Sequence, residues 1–205
     1  MDKFLIIDGN NIAFRAFYAL PNLQTTEREK TAVLYGFTNI LIKTIQELKP
    51  KYLAVAFDRG KSTFRHRMYE AYKAKRNPTP NELLEQMPKL KELLRAMKIK
   101  VLEEDEIEAD DIIGILSKKF DTENYILSAD KDILQLISPN TTVIAPKKGV
   151  TETVIYTPET LKETMNLEPS QIIDLKSLMG DPSDNIPGVN GVGEKTSFTL
   201  LNEYK

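Results

Sequence analysis

The 205-residue chain has no cysteine, a single histidine, a formal net charge of only −2 and no long apolar run. The missing cysteines exclude a disulfide scaffold, thiolate metal sites and thiol nucleophiles. The one histidine, His66, lies in a basic stretch. It offers no Ser/His/Asp constellation for covalent catalysis and points instead to a surface or phosphate contact. The first apolar run, Phe4-Leu5-Ile6-Ile7, is stopped by Asp8, far short of a signal-peptide core or a membrane span. The chain is therefore expected to be cytoplasmic, with no membrane partner. What is present, 41% apolar and 28% charged residues, suits a folded core of one domain, or one domain with a small appendage.

The small net charge hides a strong asymmetry. Arg59 to Lys100 holds twelve Lys/Arg against four Glu, a net of +8, and Val101 to Gln135 holds three Lys against eleven Asp/Glu, a net of −8. Such runs serve either as solvated helix faces or as a polyanion-binding surface beside a cation-binding pocket.

The apolar pattern alternates between strand and helix. Lys3–Ile7, Tyr52–Phe57, Ile99–Leu102, Tyr125–Leu127 and Thr142–Ile144 read as strands. Ala32–Leu48, Leu83–Met97, Ala109–Phe120 and a short Lys131–Ile137 read as helices. This predicts an α/β fold with a mainly parallel sheet and helices on both faces. After Pro169 the alternation stops, and two helices, Ser170–Met179 and Glu194–Tyr204, flank a Gly/Pro-rich turn. The predicted division is a core over 1–168 and a helix-hairpin-helix over 169–205.

Three strands end in aspartate, at Asp8, Asp58 and Asp130, with Asp132 two residues later, and Glu108-Ala109-Asp110-Asp111 opens a helix. Strand-end aspartates serve as turn formers and N-caps, yet the carboxyl edge of a parallel sheet is also where such folds bind ligands. Two carboxylates 4 Å apart repel by about 4 kcal/mol at an effective dielectric of 20, against a domain stability of roughly 5–15 kcal/mol. Gathered at one edge, these groups must take up protons or hold cations. All-oxygen donors select Mg²⁺ or Mn²⁺ over zinc, and two such ions in one cluster serve phosphodiester hydrolysis. Asp181 and Asp184 either form Asx turns or complete the cluster from the opposite side.

Ile186-Pro187-Gly188-Val189-Asn190-Gly191-Val192-Gly193-Glu194-Lys195-Thr196 has the spacing G-x-x-G-x-G, neither a dinucleotide fingerprint nor a P-loop. Between helices it suits a backbone grip on phosphate. Phe64 to Arg76 interleaves basic residues with Tyr69 and Tyr72, a composition suited to phosphates and to stacking on single-stranded bases. Its apolar-poor, proline-flanked composition predicts a segment that is mobile until nucleic acid binds.

Six strings in order carry a resemblance. They are Asp8-Gly9-Asn10-Asn11 with Phe14-Arg15-Ala16; Val55-Ala56-Phe57-Asp58; Thr63-Phe64-Arg65 through Tyr72-Lys73 to Arg76; Glu108-Ala109-Asp110-Asp111; Asp130-Lys131-Asp132; and Met179-Gly180-Asp181-Pro182-Ser183-Asp184-Asn185-Ile186-Pro187-Gly188. The chain resembles the 5′-nuclease family, in the branch of N-terminal 5′→3′ exonuclease domains of bacterial DNA polymerase I, related to flap endonucleases. The resemblance implies a PIN-like nuclease core and two Mg²⁺ sites, with Mn²⁺ able to substitute. Asp8, Asp58, Glu108, Asp110 and Asp111 would lie nearest the catalytic ion, with Asp130 and Asp132 bridging to the second, and Asp181 and Asp184 completing it. It assigns 60–98 to a helical arch whose Lys73 and Arg76 act on the scissile phosphate with Tyr72 stacking beside them. It adds DNA contacts at Arg15 and Arg65, and along Gly188, Gly191, Gly193, Lys195 and Thr196, with K⁺ at the hairpin. The implied partner is DNA with a 5′ end at a single-/double-strand junction, met by a monomer that shares its natural chain with a polymerase domain. Family members continue past the second hairpin helix, so the hairpin region is expected to be truncated. Rival readings are a PIN-like ribonuclease, which Asp181, Asp184 and the hairpin oppose, and a junction-binding module without catalysis.

Overall fold

The computed structural model describes residues 1–60, 62–147 and 153–204; Lys61 of the basic stretch and the terminal Lys205 lie outside them. Its centre is a six-stranded sheet of β1 (Lys3–Asp8), β2 (Tyr52–Ala56), β3 (Lys100–Leu102), β4 (Glu123–Leu127), β5 (Thr141–Pro146) and β6 (Thr153–Tyr156). The strand order is β3-β2-β1-β4-β5-β6. The first five strands run parallel and β6 runs antiparallel at the edge.

The helices are α1 (Gly9–Ala19), α2 (Ala32–Leu48), α3 (Phe64–Met68), α4 (Asn81–Leu84), α5 (Gln86–Ala96), α6 (Ala109–Lys119), α7 (Pro158–Met165), α8 (Gln171–Met179) and α9 (Glu194–Glu203). They cover both faces of the sheet because its central strands are apolar on both sides. Leu5, Ile7, Val55 and Leu127 point to one face, packing with Ile12, Phe17, Phe37, Leu41, Leu90 and Leu94 of α1, α2 and α5. Phe4, Ile6, Ala54 and Ile126 point to the other, packing with Ile112 and Ile113 of α6, Leu161 of α7, Ile172 and Leu175 of α8 and Leu201 of α9. The two C-terminal helices thus join the core instead of standing apart from it. No helix among the described residues is long and apolar enough to cross a membrane.

The structure departs from the sequence pattern in four places. Helix α1, which opens on Gly9-Asn10-Asn11, was not predicted, because those residues are weak helix formers. It forms because the Asp8 carboxylate caps the Asn11 N–H at 3.0 Å and because Ile12, Ala13 and Ala16 are fully buried. Gly9 is obligatory there, since a Cβ would stand 2.4 Å from the Phe57 ring. The single helix expected over 83–97 is two, joined at Glu85. The segment expected to be helical after Asp130 is a 3₁₀ turn, Lys131–Leu136. Strand β6 and helix α7 fill a stretch in which no element was predicted.

The strand order reverses between β1 and β4, which opens a crevice at their carboxyl ends. Two side chains pin the rims of that crevice together. Ser128 Oγ donates to Asp8 Oδ2 at 2.8 Å, and the Ala129 N–H donates to Asn11 Oδ1 at 2.9 Å.

Candidate active site

Four elements deliver carboxylates to this edge. Asp8 ends β1 and is buried. Asp58 follows β2, where its Oδ1 accepts the Ala109 N–H at 2.8 Å, tying the loop to the first turn of α6. Glu108 and Asp110 come from that same helix N-terminus, and Asp130 follows β4. The capping reading of a strand-end aspartate holds. Asp8 caps α1, and Asp130 Oδ1 caps the 3₁₀ turn through the Asp132 N–H at 2.9 Å, yet each also faces the cluster.

Electrostatics identify who feels whom. Burial, with smaller contributions from Asp58 and Asp130, pushes the Asp8 carboxyl up to about 6. Asp110 is pushed up to about 8 by burial and then by the charges of Asp8, Asp130, Asp58 and Glu108. Four chain segments thus press on one carboxyl group. In this sense the acids converge, although among the described residues no three of them close into a ready-made ligand set. Repulsion holds uncompensated carboxylates apart. A buried, all-oxygen, mutually repelling donor group suits a hard divalent cation, which would remove the penalty at Asp8 and Asp110 together.

The remaining acids are neutralised from within. Asp111, expected among the ligands, is paired instead with an arginine. Arg65 grips both its oxygens, at 2.7 and 2.8 Å, and its Oδ2 also accepts the Glu108 N–H at 2.9 Å. Burial opposes its charge, but Arg65 wins and holds the Asp111 pKa low. Arg65, expected on DNA, joins α3 to α6 through this pair in the DNA-free structure. Glu108 Oε1 accepts from Lys73 Nζ at 2.8 Å. The Tyr72 hydroxyl lies within bonding distance of Glu108 (3.1 Å) and Asp184 (3.0 Å). Arg76 pairs with the other Asp184 oxygen.

Lys176 of α8 reaches Asp132 at 2.7 Å and Asp181 at 2.9 Å. Asp181 is also an Asx-turn former, its Oδ1 accepting the N–H and hydroxyl of Ser183. Burial works against its charge, but Ser183 and Lys176 hold its pKa down at about 2.

The basic segment, expected to be mobile, is packed onto the acids in this structure. Ion pairs supply the attachment that its few apolar residues cannot. Tyr72 is buried, 6% exposed, so it offers no open stacking face. Lys73 is held at φ 57°, a left-handed conformation that costs a non-glycine residue about 1 kcal/mol or more. Its N–H donates to Asp184 O at 2.9 Å while its ammonium meets Glu108, so both ends are fixed. His66 serves locally: its Nδ1 accepts the Thr63 N–H at 3.1 Å, capping α3.

The hairpin glycines divide by role. A Cβ on Gly188 would stand 2.4 Å from the Met179 carbonyl carbon, so its small size serves chain packing. Gly191, at φ 79°, and Gly193 have nothing within 4 Å of that position and lie exposed with Lys195 and Thr196. Arg15 sits partly buried on α1, and that burial lowers its pKa.

Three lysines escaped the sequence reading: Lys176, and Lys118 with Lys119. The latter two lie along a groove of about 620 Å³ that runs from Asp110 and Asp132 past Ile115. Their signal was a basic last turn on a helix that begins with acids, a pattern that helix-dipole pairing explains equally well.

Residues 3–166 match the model of the 5′-3′ exonuclease N-terminal resolvase-like domain, and 167–205 match that of the 5′-3′ exonuclease C-terminal SAM fold. The chain belongs to the 5′-3′ exonuclease family. It is similar to DNA polymerase I of Bacillus subtilis (strain 168), at 49% identity over 98% of this chain and 23% of that protein. It is also similar to DNA polymerase I of Geobacillus stearothermophilus, at 50% identity over 99% of this chain and 24% of that protein. The chain thus spans about a quarter of the length of these relatives. Among solved structures, the T5 5′-exonuclease with bound divalent metal ions (zinc) superposes with a TM-score of 0.76. Identity is 25%, covering 98% of this chain and 75% of that one. Flap endonuclease-1 from Methanococcus jannaschii gives a TM-score of 0.64 at 21% identity, covering 98% and 71%, a likeness of fold.

Proposed function

We propose that the chain is a Mg²⁺-dependent 5′→3′ DNA exonuclease and 5′-flap endonuclease of replication and repair, acting on a 5′ end at a single-/double-strand junction. The observation that carries this reading is Asp110, crowded by Asp8, Asp58, Asp130 and Glu108, with Lys73 of the basic segment reaching Glu108. Negative charge that needs a cation, and a cation that fits a phosphate, meet at one carboxylate.

Asp8, Asp58, Glu108, Asp110 and Asp130 would hold one divalent ion, and Asp132, Asp181 and Asp184 a second; Mn²⁺ would serve in place of Mg²⁺. When bound, the ions supply the charge that makes a water nucleophilic and stabilises a leaving oxygen. The protein's own part is positioning. An incoming phosphodiester draws Lys73 and Arg76 off Glu108 and Asp184, so both cations meet the charge that develops on the phosphate. Burial, Glu108 and Asp184 raise the Tyr72 pKa, so its hydroxyl stays protonated and donates within the site. Gly191, Gly193, Lys195 and Thr196 would grip the duplex backbone without reading its sequence, around K⁺. The molecule would act as a monomer, with a polymerase domain on the same natural chain.

Cleavage of a 5′-flap duplex, followed with Mg²⁺, with Ca²⁺ and in chelator, tests the proposal. Mg²⁺-dependent release of the flap is expected; cleavage that persists in chelator, or none with any divalent ion, contradicts it.

A further inference from the structure

Lys176 is not among the residues that the sequence singled out, yet it occupies a telling place. Its ammonium stands between two carboxylates from different parts of the chain, 2.7 Å from Asp132 and 2.9 Å from Asp181. These are two of the three acids that would take the second divalent ion, and the third, Asp184, is paired with Arg76. The Lys176 side chain is about one-third exposed and Asp181 only 12%, so the contact is neither a loose surface pair nor a sealed one.

We infer that Lys176 is a built-in, displaceable counter-ion for the second cation position: it neutralises Asp132 and Asp181 while no divalent ion is present and must withdraw for one to bind. This rests on the two-cation reading above. An ammonium and a divalent ion compete for the same oxygens, so the second ion is bound against a competitor that is always present at high effective concentration. At the first position a competing ammonium reaches only Glu108, from Lys73, whereas Asp8 and Asp110 have no lysine or arginine bonded to them among the described residues. The two ions should therefore load unequally, the second more weakly. Lys176 comes from the last turn of α8, and among the described residues its ammonium is paired with these two carboxylates, so a change of side-chain rotamer would free both.

The test is calorimetric titration of Mn²⁺ into the DNA-free protein, comparing wild type with Lys176→Met and Lys176→Gln. Lys162→Met serves as control, since Lys162 pairs with Glu168 on the surface. Removing the competing charge should tighten the weaker Mn²⁺ site on the order of tenfold, leave the tighter one within about twofold, and change neither in the control. Thermal melts give a second readout: both Lys176 variants should melt below wild type in chelator, and Mn²⁺ should close most of that gap. A weaker site that is unchanged or loosened in both Lys176 variants overturns the counter-ion role while leaving the two-cation reading intact. A wild-type protein that binds no Mn²⁺ overturns the two-cation reading itself, and this inference with it.

Discussion

Asp110 and Asp111 are neighbours in sequence, in the same first turn of α6, and they live in opposite worlds. Asp110 faces Asp8, Asp58, Asp130 and Glu108, and its pKa climbs to about 8. Asp111 faces Arg65, and its pKa falls. The same split divides the whole acidic edge. Its strand-edge half, centred on Asp8 and Asp110, is crowded and lacks internal compensation. Its other half, Asp111, Asp132, Asp181 and Asp184, is matched by Arg65, Lys176 and Arg76. One half is strained without outside charge; the other is paired from within, although burial still raises the Asp132 pKa against the pull of Lys176, and it has to be opened. Natural proteins retain such local conflicts at functional sites, where stability is given up for chemistry.

The largest expected effect of breaking this contrast is on cleavage. Asp110→Asn removes a carboxylate from the crowded half and should lower flap cleavage by about 10³-fold or more, read in single-turnover assays with Mg²⁺. A variant that keeps even a tenth of wild-type activity would show that Asp110 is dispensable. Lys73→Ala should slow the chemical step by about 10²-fold while DNA affinity changes far less. If the loss appears in affinity instead, Lys73 is an anchor for phosphate and nothing more.

A stability effect sharpens the contrast through pH. In the folded, cation-free protein Asp8 and Asp110 hold protons up to about 6 and about 8, whereas the unfolded chain releases them near 4. The folded state therefore binds more protons in that window, and its stability falls as pH rises. Melts in chelator should show a loss on the order of 5 kcal/mol between about pH 5 and about pH 8, and saturating Mg²⁺ should flatten the trend. Stability that instead rises with pH in chelator would mean that the crowding is absent. Asp181, held near 2, contributes only below this window.

The smallest effect concerns the hairpin. Gly191 sits at φ 79° in open space, so Gly191→Ala should cost about 1 kcal/mol through backbone strain alone and weaken duplex binding. Equal loss of single-strand binding would argue against a duplex grip.

Asp8, Asp58 and Asp130 could be read from the sequence because each follows an apolar strand and parallel strands share one carboxyl edge, and Glu108 and Asp110 because they open a helix on that same side. The paired half was less legible. Arg65 and Asp111 lie 46 positions apart, and no local periodicity records which basic residue will close on which acid. For the same reason the composition of 64–76 suggested a mobile stretch, since the attachment lies in side chains from Glu108 and Asp184. Helix α1 was hidden by its Gly-Asn-Asn opening, and its stability comes from tertiary burial and one cap. The break at Glu85 and the 3₁₀ geometry after Asp130 are details of backbone geometry that apolar spacing does not encode.

The most direct measurement compares two single variants, Asp110→Asn and Asp111→Asn, by thermal melting in chelator at about pH 8, where the crowded carboxyl begins to ionise. Asp110→Asn should raise stability by a few kcal/mol, a clear upward shift in Tm. Asp111→Asn should lower it by about 1–3 kcal/mol, because Arg65 loses its charged partner. Shifts of the same sign would contradict the division of the acidic edge into a crowded half and a paired half.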